Sequence, residues 1–143
     1  MVFVVPSYPN LEDKIVQLQI PQGKYPKTNF GDGAFSVSAV YAKSLADCLK
    51  TAGNESSNNF KDKVTFNNVE YFSATSTDAG AGNLYESKLY RTLAGSHTCI
   101  ELSEVVHTAN IYNFPEGAVT EVNKNLVWEE LDKITQSFKF IKE

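Results

Sequence analysis

Few side chains in this sequence have the types and spacing needed for chemistry. The candidates are the carboxylates Glu86, Glu101 and Glu104, the imidazoles His97 and His107, and the thiols Cys48 and Cys99. A Cys–His nucleophile needs thiolate and imidazole within hydrogen-bond reach. Cys99 and His107 belong to one strand-like run and would lie about 26 Å apart when extended. His97 sits at a turn, facing solvent, and is no better placed for Cys99. Glu101 and His107 fail as an acid–base dyad for the same reason, at about 20 Å. Strand alternation puts Glu101 and Glu104 on opposite faces, which weakens a paired-carboxylate glycosidase. No His-x-His or Cys-x-x-Cys spacing exists, so neither a metal nor a cofactor is expected. Asp78-Ala-Gly-Ala-Gly-Asn83 has the glycines of an anion loop, but no Gly-Lys-Ser/Thr follows, and it reads as a turn or bulge. Tyr8, Tyr25 and Tyr112 stand near prolines. They would form an exposed aromatic patch for sugars or peptides, or else pack under loops.

The element that must position these groups is a long antiparallel hairpin over residues 84–110. Both arms are rich in β-branched and aromatic residues and lack proline. Gly95 suits the left-handed position of a three-residue loop. Whether that loop is Leu-Ala-Gly or Ala-Gly-Ser, odd-numbered residues face odd-numbered ones. One face then carries Leu84, Tyr90, Ile100, Leu102 and Val106, apolar enough to receive a helix. The other carries Tyr85, Ser87, Arg91, Glu101, Ser103 and His107, too polar for a dry core. Tyr85, Arg91, Glu101, Ser103 and His107 are therefore the candidate ligand contacts. An internal hydrogen-bond network beneath the 110–122 segment is the alternative.

Around the hairpin, residues 15–20 alternate as a half-buried strand stopped at Pro21. Residues 23–33 read as a loop. Phe35, Val37, Ala39 and Tyr41 alternate with small residues in a second strand. Ser44 caps a short helix with Leu45, Cys48 and Leu49 on one face and Asp47 at the capping-box position. Residues 53–59 are the most polar stretch and read as a surface loop; the Asn54-Glu-Ser sequon within it is uninformative. Asn67-Asn68 joins two short strands through a type I′ turn. Asn113-Phe-Pro-Glu-Gly turns the chain into a final helix from Asn123 or Lys124. Its stripe is Val127, Leu131, Ile134, Phe138 and Ile141, with an extended exit after Ser137 as the alternative ending. The class is α+β: a mostly antiparallel sheet, a short helix after the second strand and a long C-terminal helix packed on it.

Residues 1–143 are one domain's worth of chain, 42% hydrophobic and 21% charged. The net charge of −4 and scattered Lys and Arg argue against nucleic acid. No run approaches the ~20 apolar residues of a membrane span. Met-Val-Phe-Val-Val-Pro is too short for a signal peptide and has no basic n-region, so we expect a piece of a longer exported protein. Cys48 lies on the buried face of the short helix, and Cys99 begins a central strand that this helix can cover. We expect a Cys48–Cys99 disulfide, two buried free thiols being the alternative.

The order strand, strand, short helix, hairpins and final helix ending in Ser137-Phe-Lys-Phe140 resembles the Mog1/PsbP-like α/β sandwich. Tyr85-Glu86, Tyr90-Arg91-Thr92, Cys99, Glu101 and His107-Thr-Ala-Asn110 look like exported or lipid-anchored bacterial domains. The resemblance covers residues 60–141 well and the first third loosely. It implies an extracytoplasmic location and no defined activity; fold does not carry function. We therefore expect a non-catalytic binding or accessory domain, a monomer whose concave sheet face binds a protein or small-molecule partner. A hydrolase using Glu101 or His107 and a structural spacer are the rival readings.

Overall fold

In a computed structural model, residues 2–3, 14–50 and 60–141 are described. Tyr8 and the 53–59 loop with its sequon lie outside them. The strands are β1 (Val2–Phe3), β2 (Lys14–Ile20), β3 (Phe30–Tyr41), β4 (Asp62–Phe66), β5 (Val69–Gly80), β6 (Asn83–Ala94), β7 (Thr98–Ala109) and β8 (Lys139–Phe140). A single turn, α1 (Leu45–Cys48), follows β3, and α2 (Lys124–Ser137) precedes β8. The main sheet is six-stranded and antiparallel in the order β2-β3-β7-β6-β5-β4, while β1 and β8 form a small parallel pair. The chain is α+β, with the C-terminal helix on one face of that sheet.

The organising hairpin is β6–β7, paired from Asn83↔Ala109 to Ala94↔Thr98. Its loop is Gly95-Ser96-His97, so both expected loops stood too early in the chain. Gly95 takes φ 63°, a conformation cheap for glycine. Any three-residue loop here preserves the parity, so Tyr85 meets His107 and Arg91 meets Glu101. The Asn67-Asn68 turn has φ 50° and 66°, as a type I′ turn requires.

Even-numbered residues of β7 and odd-numbered residues of β3 make the covered face. Phe35, Val37, Ile100, Leu102 and Val106 are fully buried there against Val127 and Leu131 of α2. Asn123 caps α2 by accepting from the Asn125 amide. The helix stops at Ser137, so its stripe ends earlier than the pattern to Ile141 predicts. Thr135 takes the last buried helical position, Phe138 is buried in extended backbone and Ile141 is exposed. Asn67 fixes this exit by donating to the carbonyls of Gln136 and Phe138, both at 2.7 Å.

Two stretches expected to be irregular are strand. The 23–33 loop ends at Phe30, because β3 continues through Gly31-Asp32-Gly33 with a bulge between Phe30 and Asp32. A Cβ on Gly31 would lie 2.4 Å from the His107 ring, so glycine is what lets the ring rest on the strand. The Ser- and Gly-rich 73–83 segment is mostly β5, and only Ala81-Gly82 turns.

Candidate functional site

The polar strip divides into separate clusters. At one end of the β6–β7 hairpin, Arg91 Nε donates to Glu101 Oε2 at 2.7 Å. Its Nη1 donates to the carbonyls of Cys48 and Lys50 at 3.1 and 2.8 Å. The guanidinium also lies 4.4 Å from the Phe60 ring centroid. Arg91 thus ties the end of α1 to the sheet. Beside it, the Cys48–Cys99 disulfide bridges Cα atoms 5.3 Å apart, as the sequence predicts. Ser44 accepts from the Asp47 amide, and Asp47 in turn accepts from the Lys43 amide. Arg91, Glu101, Ser44 and Asp47 thus have internal partners here, supplied by α1 and its flanks and not by the 110–122 segment.

Six residues further along each strand, about 20 Å away, the Tyr85 and His107 rings stack at 4.4 Å with an interplanar angle of 8°. His107 Nε2 is 2.8 Å from Asn83 Oδ1, and its Nδ1 faces Asp32 at 3.7 Å. An amide oxygen accepts only, so the ring proton sits on Nε2 when the imidazole is neutral. Ser103 lies half-buried between the clusters, opposite Leu89 and Ser36. Glu101 and His107 are not brought together, and Glu104 lies on the other face. Among the described residues no three His, Cys, Asp or Glu side chains gather as a metal site.

Glu104 is the most perturbed acid. It is fully buried beneath α2, accepts from the Thr135 hydroxyl at 2.8 Å, and its Oε2 meets no donor. Burial first, and then hydrogen bonding to Asp132, push its carboxyl up to about 8. The Thr135 hydroxyl and the Lys88 ammonium pull the other way. Protonation removes a buried negative charge that would otherwise face the Asp132 carboxylate. Asp132 also holds Lys88 at 3.3 Å, and Lys88 lies 4.6 Å over the Trp128 ring. Burial likewise raises the Tyr71 and Tyr90 hydroxyls. Perturbed acids mark functional sites often enough to be inspected, but Glu104 is sealed from solvent. Its work is to join α2 to β7.

An accessible concavity lies elsewhere among the described residues. A cleft of about 690 Å³ opens between the ends of β5, β6 and β7, the 110–123 segment and the first turn of α2. Tyr85, Arg91, Glu101, Ser103 and His107 do not line it. Its walls carry side-chain amides, those of half-buried Asn29 and of exposed Asn110, Asn123 and Asn125 among them. Asn29 fastens two walls, donating to the Ala109 carbonyl at 2.9 Å and accepting from the Val122 amide at 2.8 Å. The β5–β6 turn is fastened too: Gly82 O accepts from the Asn110 amide at 2.7 Å and from Asn113 Nδ2 at 3.0 Å. A Cβ on Gly82, at φ 76°, would meet Asn113 at 2.5 Å. The positive φ is what favours glycine at this position.

Of the tyrosines near prolines, Tyr25 packs edge-on to Phe30 and donates to Glu130 at 3.1 Å. Tyr112 instead stands on the cleft wall, 91% exposed. The sequence carried a signal for this site in Tyr112 and the recurrent asparagines, but not their convergence. No family model matches this chain, and no curated protein or solved structure matches it either.

Proposed function

We propose that this chain is a non-catalytic binding domain of an exported protein, and that the cleft at the end of the sheet is its working site. The cleft itself is the observation that carries the reading. It is of ligand size, is held open by paired amides, and has an unpacked aromatic ring on its wall. The candidate acid–base groups support the same reading, since Glu101, His107 and Glu104 each engage protein partners. Export is favoured by the Cys48–Cys99 bond, a linkage compatible with an extracytoplasmic, oxidising compartment. No described helix is long and apolar enough to cross a membrane. The Mog1/PsbP-like kinship belongs to this proposal, supported by the antiparallel sheet with the C-terminal helix on one face.

A hydrolase substrate screen on the purified, unreduced protein tests the choice between binding and turnover. We expect none of the substrates to turn over. Turnover abolished by Glu101→Gln or His107→Ala would overturn the proposal in favour of the hydrolase.

A further inference from the structure

The chemistry of the cleft narrows what it would hold. Its formal charges are Glu121 and Lys124, and the Lys124 ammonium is already held by Glu86 at 2.7 Å. No unpaired cation remains among the lining residues to recognise phosphate or carboxylate. Asn110 and Asn123 each use their side-chain oxygen to accept a backbone amide, from Tyr112 and Asn125 respectively. Their NH2 groups are left to donate, and the exposed Asn125 amide offers both donor and acceptor. The Asn110 turn also fixes the backbone beneath Tyr112, so the exposed ring stands on an ordered base.

A flat aromatic face beside planar amides suits a ligand that has both an apolar face and a polar rim. A sugar ring presents an apolar face of C–H groups that stacks on an aromatic ring, and a rim of hydroxyls that both donate and accept. We propose that the cleft binds a neutral carbohydrate, with Tyr112 as the stacking platform and the amides of Asn110, Asn123 and Asn125 as its hydrogen-bonding groups. Glu121, which has no ion-pair partner among the described residues, accepts from further hydroxyls. This inference rests on the binding-module reading and adds the ligand class to it.

The test is an array of neutral and acidic glycans probed with the labelled, disulfide-bonded protein. It is followed by amide-resonance titrations with the neutral glycans on the array, inorganic phosphate and tetramethylammonium. We expect neutral glycans to bind and to shift resonances of residues 110–125. Tyr112→Ala should weaken that binding about tenfold, the worth of one good aromatic contact, at an unchanged melting temperature. Failure of every neutral glycan to bind, or equal binding by the Tyr112→Ala protein, overturns the ligand class. Shifts of residues 110–125 with phosphate or tetramethylammonium alone also overturn it, yet leave the cleft standing as a binding site. Shifts centred on Ser87 and Ser103 overturn the cleft itself, and with it the reading on which this inference rests.

Discussion

The two ends of the β6–β7 hairpin are built from opposite kinds of residue. At the loop end stand the groups with the strongest chemistry: a cysteine pair, an arginine and a glutamate. They are turned inward, with Arg91 holding three oxygens and the disulfide closing α1 onto β7. At the other end the Tyr85–His107 pair is also bound inward, but beside it stand asparagines and Tyr112, individually mild, and there a cleft remains open. The contrast follows from desolvation. Half-buried charges need partners to offset lost hydration, so they draw the chain closed around themselves. Amides saturate one side with backbone and leave the other available.

Breaking the closed end should give the largest effect. The disulfide closes a loop with a sequence separation of 51, so its removal should cost about 2–4 kcal/mol. Urea unfolding of the wild type and a Cys48→Ala/Cys99→Ala double variant measures this. Alkylation of unreduced protein in denaturant should trap no free thiol at either position, and labelling of both would sink the comparison.

The next effect lies under α2, midway between the ends, and depends on pH. The Glu104 carboxyl is raised from 4.5 to about 8 in the folded chain. The folded state therefore holds the proton through a window in which the unfolded chain has released it. Its stabilising contribution is complete below the unfolded value and is lost as pH rises through about 8. Stability should fall by at most about 1.4 kcal/mol per pH unit across that window. Glu104→Gln keeps a donor toward Asp132 and an acceptor for Thr135 without the titration. It should flatten the profile and be the more stable protein at alkaline pH. Parallel profiles for the two proteins in chemical denaturation would show that Glu104 is not protonated when folded.

Smaller effects belong to the open end. Asn29→Ala removes the clamp between Ala109 and Val122 and should cost about 1–2 kcal/mol in thermal unfolding. Tyr112→Ala should change stability by no more than about 0.5 kcal/mol, because the ring is almost fully in solvent. A large loss there would mean that Tyr112 is structural, and the difference between the two ends would disappear.

Local patterns in the sequence determined the hairpin, the parity of its faces, the Asn67-Asn68 turn and the start of α2. Alternation, turn chemistry and capping act over a few residues, and a parity argument survives a misplaced loop, as the Gly95-Ser96-His97 turn demonstrates. The Cys48–Cys99 pairing was also legible, because each cysteine had an assignable face. Where α2 ends was legible only as one of two endings, the exit after Ser137 being the one found, since the apolar period runs on through Phe138 to Ile141. Burial of Thr135 against Glu104 and the Asn67 bonds from the β4–β5 turn decide that boundary. The sequence placed Tyr85, Arg91, Glu101, Ser103 and His107 on one face but did not show which had partners. Tertiary structure alone brings Asn29, Asn110 and Asn123 around a single cleft, through hydrogen bonds between segments far apart in the chain. An amide looks the same in sequence whether it bonds its own backbone or a distant one. Only the folded arrangement shows which side of it is left for a ligand.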